Sequence, residues 1–521
     1  IDEQGRMTHP RRLMSLKKLI LGCSAALGLT AASAAEIPNG PITLEQCIQI
    51  ALENNLDVRI TNYTPRLSAF NLEGAYGAYD PEFRVGSSTS SSKQDERFDA
   101  QTFAPLAGQS DRDSFNFGLG GVIPTGLRYD IGIRASDRQY ITGNGFSNQN
   151  YDSNLGITIT QPLLRGAWAG NPIRRGIKLN KKEIEMSTFT VFQQLINTVS
   201  AVENAYYSLV AQKDRLKVDQ ENLGLTQQNL NNQKRRAEVG TIAKSELPQL
   251  EAELFSQKKA LIDANNSYAN AVNDLKRLLT DDFAAIQDIE ILTVGELNPI
   301  KTVFSRSDSW NKALNQRPDI LQSKIQLEMD EINLKYNKNQ LWPQLNLRAS
   351  YGFTGNSGRD PIRGIEPSLS RAWEKVRDRD FPDSSISLNF SIPIPNRSAR
   401  VSYKTAQMKN EQKVLGHKVL EQRIMLEIDR LIRSAESNFE QIAVTRQARI
   451  SRELAYKNQQ KRYDEGAIEN YLVLQAQRDL TRERNNEITA KANYLKALSA
   501  LAQAEGSTLE NNNINVEIEE E

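Results

Sequence analysis

The chain has 521 residues, with 65 Lys and Arg against 64 Asp and Glu, and its formal net charge of +1 selects no polyanionic partner such as nucleic acid. A mean hydropathy of −0.54, with no apolar run of about 18 residues beyond the leader, argues against membrane-spanning helices. Alternating transmembrane β-strands stay open, because their pattern barely moves the average.

Residues 1–35 read as leader and signal peptide, with the residues ahead of Met7 set aside. Arg11, Arg12, Lys17 and Lys18 form a basic region, Leu19 to Ala32 an apolar and small-residue one, and cleavage sites follow Ala34 or Ala35. Cys23 in LILGC has the setting of an acylated cysteine. Only three apolar residues separate it from Lys18, however, so it is read as a small residue of the apolar region. Cleavage would leave Cys47 alone, which excludes an intramolecular disulfide and a cysteine metal site.

The remainder is a tandem duplication. Placing Gly240 on Gly466, an offset of 226, brings Arg236 onto Arg462, Leu254 onto Leu480, Ala264 onto Ala490 and Tyr268 onto Tyr494. ALENNLDVRI (Ala51 to Ile60) matches ALNQRPDILQ (Ala313 to Gln322) at an offset of 262, which also puts Pro81 on Pro343. The drop of about 36 between these offsets marks an insertion in the first copy.

Each copy opens with a helix, Thr43 to about Gly77 and about Ser307 to Gln340. The period then changes to two. Phe115, Phe117 and Leu119 alternate with polar or small residues, as do Leu127, Tyr129, Ile131 and Ile133, then Leu155, Ile157 and Ile159, and Ile386, Leu388, Phe390 and Ile392. Such one-sided strands suit an outer-membrane barrel, and open edges in lipid then require several chains to share it. Polar segments at Ser87–Arg112, Asp137–Asp152 and Gly355–Asp383 suit extracellular loops, and Pro124-Thr125-Gly126 a tight turn of an inserted hairpin.

Long helical hairpins follow. Phe192, Leu195, Val199, Val202, Tyr206 and Leu209 keep coiled-coil spacing, as do Met425, Ile428, Ile432, Ala435, Phe439 and Ile442. A stretch from about Pro172 to Arg236 predicts a rod of roughly 100 Å. KRRAEVGTIAKSELP and KRYDEGAIENYLVL are the hairpin tips, where glycine ends a helix in the left-handed conformation.

TLEQCIQIALENNLDV, QPLLRG, SIPIPN, EVGTIAKSEL and DEGAIENYL, in this order, resemble the TolC family of outer-membrane efflux proteins. The resemblance implies a mainly α fold with a β-barrel part: duplicated strand and coiled-coil hairpin units, a trimeric α-barrel tunnel and a shared twelve-stranded outer-membrane barrel. In chain order the expected segments are a helix over 36–80, barrel strands and loops over 81–163, a hairpin over 164–280 and an equatorial segment over 281–311. The second repeat supplies a helix over 312–342, strands over 343–396 and a hairpin over 397–505, before an acidic tail at 506–521.

The implied function is a passive duct of a tripartite efflux or type I secretion system. Its implied partners are two further copies of the chain, a periplasmic adaptor (membrane fusion) protein, an inner-membrane efflux pump or ABC exporter, and outer-membrane lipid. Adaptor docking falls on Arg236, Val239, Gly240, Thr241, Arg462, Gly466 and Ala467. Tyr463 keeps the family's gate tyrosine, whereas its arginine and aspartate positions are Ile468, Leu472 and Gln475. The gate expectation therefore rests on Tyr463 with a carboxylate ring of Glu246, and Glu469 in reserve.

No cofactor, metal or catalytic residue is expected. His9 lies in the leader, His417 is expected to be solvated in mid-helix, and neither a phosphate loop nor a nucleophile elbow appears. A periplasmic coiled-coil adaptor or scaffold without its own barrel is the rival function, and it leaves the alternating strands unexplained.

Overall fold

A computed structural model describes residues 40–93, 107–142, 147–360 and 362–514. The expected leader and signal peptide, with Cys23, and the end of the expected acidic tail lie outside the described residues. Packing divides the chain into two compact units. One holds the residues up to Pro65, Met186–Ser323 and those from His417 onward, and the other Arg66–Glu185 and Lys324–Gly416.

The first unit carries the main apolar core. Strand β1 (Gly40–Ile42) pairs in parallel with β6 (Ile291–Thr293). Helix α1 (Leu44–Asn54) starts at a capping box, in which Thr43 Oγ1 accepts from Gln46 N at 3.3 Å and Gln46 Oε1 accepts from Thr43 N at 3.0 Å. Its buried face, with Cys47, Ile48 and Ala51, packs on Val199, Val202, Tyr206 and Leu209 of α3 (Pro172–Glu238) and on Leu275 and Leu279 of α4 (Leu247–Leu279). Burial pushes the Cys47 thiol up to about 12, so the cysteine acts as a small apolar residue.

The helix expected to open each repeat is broken in two. The first becomes α1 and α2 (Leu56–Tyr76), the second α5 (Arg306–Gln316) and α6 (Pro318–Asn339). Asn55 is extended, and its Oδ1 accepts from Asp57 N at 3.0 Å, restarting the helix. Pro318 forces the residue before it, Arg317, out of the helical region. The two breaks are equivalent at the offset of 262, and they make the same contact. Asn55 Nδ2 donates to Leu278 O at 3.2 Å and Arg317 Nη1 donates to Ala504 O at 3.0 Å, with Leu278 and Ala504 related by the offset of 226. The duplication therefore survives at the level of single hydrogen bonds.

One expectation is corrected in this unit. The His417 side chain is only 13% exposed; its Nδ1 lies 2.9 Å from Ser323 Oγ and its Nε2 lies 3.4 Å from the Glu421 carboxylate. Period alone cannot show that α8 (Arg397–Asp464) turns this residue toward α6 and the residues around it.

The second unit is built on one antiparallel sheet of six strands in the order β2-β3-β4-β5-β7-β8. They are β2 (Glu82–Lys93), β3 (Ala107–Val122), β4 (Arg128–Thr142), β5 (Ser147–Pro162), β7 (Gln344–Gly358) and β8 (Pro382–Ser391). The first repeat thus supplies four strands and the second two. This corrects the twelve-stranded expectation, because twelve strands shared among three chains need four per chain and the sheet has six among the described residues. The span of β3, its turn and β4, Ala107 to Thr142, is 36 residues, which accounts for the drop between the repeat offsets. At the turn Gly126 takes φ +90° and Ile123 N donates to Leu127 O at 2.9 Å. The strands also run well into segments expected to be loops, as far as Lys93 and Thr142, and helix α7 (Leu369–Arg377) occupies part of the third.

Candidate functional site: an apolar band and two helical tips

The sheet carries one apolar face. In register, Phe83, Leu119, Ile131, Ile157 and Tyr351 form a row across five strands, and Val85, Phe117, Ile133, Leu155 and Phe353 form the next row on that face. On β7 and β8 the band extends through Ala349 opposite Ile386, Leu347 opposite Leu388 and Leu345 opposite Phe390. Most of these side chains are exposed, from 38% at Leu155 to 82% at Ile386, with Ile133, Leu345, Ala349 and Phe353 partly covered, far beyond what a water-facing sheet tolerates. From Leu345 to Phe353, at about 3.3 Å per residue and a tilt of 35–45°, the band is roughly 19–22 Å tall, close to the height of about 25 Å of an outer-membrane apolar belt.

The opposite face is polar and small. Gly118, Gly132, Gly156 and Gly352 stand in one row across four strands. A Cβ on Gly352 would lie 2.5 Å from Leu155 O and 2.8 Å from Gly156 Cα, so only glycine fits there. A row of glycines on one face of a sheet is the device that lets barrel strands bend and approach closely. Among the described residues β2 and β8 each have a single strand partner, so this membrane-suited sheet ends in two open edges.

The helical tips lie in the other unit and share one geometry. After α3, Gly240 takes φ +78° and Thr241 N donates to Arg236 O at 2.9 Å. After α8, Gly466 takes φ +76° and Ala467 N donates to Arg462 O at 2.9 Å. This is the glycine helix stop, built twice. Val239 is 76% exposed, and Gly240, Thr241, Arg462, Gly466 and Ala467 are exposed as well. Glu246 and Glu469 are exposed at the starts of α4 and α9 (Asn470–Glu505), and neither side chain makes a capping bond.

Arg236 and Tyr463, assigned different roles on sequence grounds, meet here. Arg236 Nη1 donates to the Tyr463 hydroxyl at 2.6 Å, the guanidinium carbon sits 5.1 Å from the ring centre, and the hydroxyl donates to buried Gln233 Oε1 at 2.7 Å. This ties the first hairpin to the second within one chain. A ladder of amides continues it: Asn229 with Asn470 at 3.2 Å, and Gln477 with Asn222 at 2.6 Å and with Thr226 at 3.2 Å. Sequence reasoning passed over this ladder, although Asn222, Thr226, Asn229 and Gln233 recur at 4-3-4 spacing, the pattern of a seam. Polar residues at seam positions fix helix register at some expense of stability. Farther along, Glu487 is nearly buried between Arg449 Nε at 2.5 Å and Lys491 Nζ at 3.0 Å. Burial alone would raise its carboxyl, but the bonds from Lys491 and Arg449 outweigh burial and hold it below the usual range.

Among the described residues no cluster of side chains is arranged to hold a metal ion, and no helix is long and apolar enough to cross a membrane.

A six-stranded sheet with an apolar band on one face, joined in sequence to duplicated glycine-tipped hairpins, defines a class of outer-membrane channel. The family model described as outer membrane efflux protein matches residues 126–280 and 310–507, and the chain belongs to that family, the TolC-type channels of the outer membrane. It is 21% identical over 468 residues to the probable efflux pump outer membrane protein TtgC of Pseudomonas putida, covering 87% of this chain and 82% of that protein. It is 20% identical over 381 residues to the probable outer membrane lipoprotein SilC of Salmonella typhimurium, covering 72% of each. The fold resembles the CmeC outer membrane channel of Campylobacter jejuni with a TM-score of 0.64 at 16% identity, covering 91% of this chain and 90% of that one. Strands β2 and β3 precede the first matched segment.

Proposed function

We propose that the protein is the outer-membrane duct of a tripartite efflux or type I secretion system. Three chains share one barrel, and their helical hairpins form a periplasmic tunnel. A periplasmic adaptor docks at the tips and connects the duct to an inner-membrane efflux pump or ABC exporter, and export through the duct is passive. The observation that carries this reading is the in-register apolar band on a sheet with two open edges. Such a sheet satisfies its backbone in lipid only by closing with other copies, and a periplasmic scaffold has no use for one.

The tips support adaptor docking through exposed Val239, Gly240, Thr241, Arg462, Gly466 and Ala467, with Arg236 half-buried behind them. They support gating because Tyr463 joins the two hairpins through Arg236 and Gln233, so widening the tunnel mouth requires that link to open. Glu246, with no capping bond to hold it, supplies the carboxylate ring, and Glu469, the residue that precedes α9, is the reserve on the second tip. The domain limits given for the sequence remain part of this proposal, with 81–163 and 343–396 as the barrel and 164–280 and 397–505 as the tunnel.

A photo-reactive residue in place of Val239 tests the docking. In cells it should cross-link to a periplasmic adaptor, while the same probe at Ile386 on the apolar band should not. Adaptor cross-links from Ile386 alone would remove the tips from the interface.

A further inference from the structure

The rows of opposed residues in the sheet are not parallel to its rim. The row beginning at Glu82, the first residue of β2, passes Gly120, Asp130, Thr158 and Ser350 and meets β8 at Ser385. Strand β8 continues to Ser391, six residues beyond that row. The rim therefore steps by six residues across one chain. In a closed barrel such a step is the stagger that sets strand tilt and width.

We propose that β8 of one chain pairs antiparallel with β2 of the next, Ser391 opposite Glu82, so that three chains close a barrel of eighteen strands. This rests on the shared-barrel reading above and adds to it the seam, its register and the strand number. An even count of alternating strands makes the two edges antiparallel when the sheet closes head to tail. In this register all of β8 is covered, Pro382 falling opposite Ser91. Phe83 comes beside Phe390 and Val85 beside Leu388, continuing the apolar band across the seam. Arg84 comes beside Asn389 on the polar face.

The alternatives fare worse. Continuing the rows with no stagger opposes only Glu82–Val85 to Pro382–Ser385 and sets Phe83 against Ser384. A slip by an odd number would turn β2's apolar side chains to the wrong face. A stagger of eight strands Glu82 and Phe83 beyond the end of β8. With six residues of stagger per six strands, a rise of about 3.3 Å and a spacing of about 4.8 Å give a tilt of about 35°, within the range of membrane barrels.

The same geometry makes the barrel about 34 Å across between backbones, against about 23 Å for twelve strands at that tilt. The inserted β3–β4 hairpin thus widens the pore to roughly twice the cross-section, and the glycine row leaves four of the six strands without side chains at one level, with Arg84 and Asp383 at its two ends.

Cysteine pairs in the full-length protein in its membrane test the seam, with buried Cys47 left in place. Arg84→Cys with Asn389→Cys should form a disulfide between chains on mild oxidation, giving dimer and trimer bands and none larger. It should exceed Arg84→Cys with Asp383→Cys, the unstaggered register, and Arg84→Cys with Ser391→Cys, the stagger of eight, several-fold. If the first variant fails to assemble, Ser88→Cys with Ser385→Cys samples the same register. Dominance of either rival pair, or a ladder ending at dimer, would overturn the register or the strand number. A protein that is trimeric by native mass but forms no disulfide in any pair would refute the seam and leave the shared duct standing. A monomer would remove the shared barrel itself.

Discussion

Replacing Ile157 with arginine puts a charge in the middle of the apolar band. Ile157 lies on β5 between Ile131 of β4 and Tyr351 of β7, with Leu155 and Ile159 on the same face. An arginine on the lipid face costs about 2–4 kcal/mol at the midplane and about 0–1 near the interfaces. The central position on β5 selects the upper figure, so the folded-to-unfolded ratio of each chain should fall by between about thirty-fold and a thousand-fold at about 1.4 kcal/mol per factor of ten. Three copies carry the substitution in an assembled barrel, a total of about 6–12 kcal/mol. Thr158→Arg is the control, because Thr158 lies on the polar face opposite Asp130 and Ser350, where a guanidinium reaches water. Urea titration of barrels refolded into lipid vesicles reads both variants. Ile157→Arg should lower the midpoint strongly and Thr158→Arg should leave it near wild type. Equal losses, or a greater loss for Thr158→Arg, would show that the assignment of lipid and lumen faces is reversed.

Three further outcomes follow from the tips and the helices. Alanine at Gly240 or Gly466 meets no neighbouring atom within 4 Å, so its effect comes from the left-handed backbone, about 1–2 kcal/mol; adaptor cross-linking should fall while the trimer persists, and unchanged cross-linking with lower stability would restrict these glycines to capping. Glu246→Gln should weaken cation selectivity and block by divalent cations in single-channel records, whereas an effect confined to Glu469→Gln would move the ring to the second tip. Because the Glu487 carboxyl is held below its ordinary value, the stability it contributes is present above its unfolded pKa of about 4.3 and lost as pH falls through the lower folded one. Glu487→Gln should therefore cost about 1–3 kcal/mol near pH 7, with the gap to wild type closing below about pH 4 in thermal denaturation; a gap independent of pH would contradict the ion-pair account.

How much of this was legible in the sequence depended on whether the controlling interaction is local. The strand faces were legible, because a period of two needs only neighbouring residues, and so were the glycine stops, because left-handed backbone selects glycine. The insertion could be counted from the offsets, yet the strand number could not, since Ser88 to Lys93 and Asp137 to Thr142 are polar and read as loop. Their strand state comes from cross-strand pairing, which a single segment does not reveal. The breaks at Asn55 and Arg317 were missed because the apolar pattern runs across them, although Pro318 was in plain view. Arg236 and Tyr463 were both singled out, but their contact spans 227 positions and depends on how two hairpins pack. His417 was misjudged for the same reason.

The central claim is that this chain forms a membrane channel with its constriction at the helical tips. Single-channel recording of the purified protein in planar lipid bilayers tests it most directly. The account predicts discrete conductance steps from the wild type and larger steps from Tyr463→Ala, whose link to Arg236 and Gln233 is gone. Protein that inserts into the bilayer yet carries no current in either form, or steps of the same size in both, would contradict it.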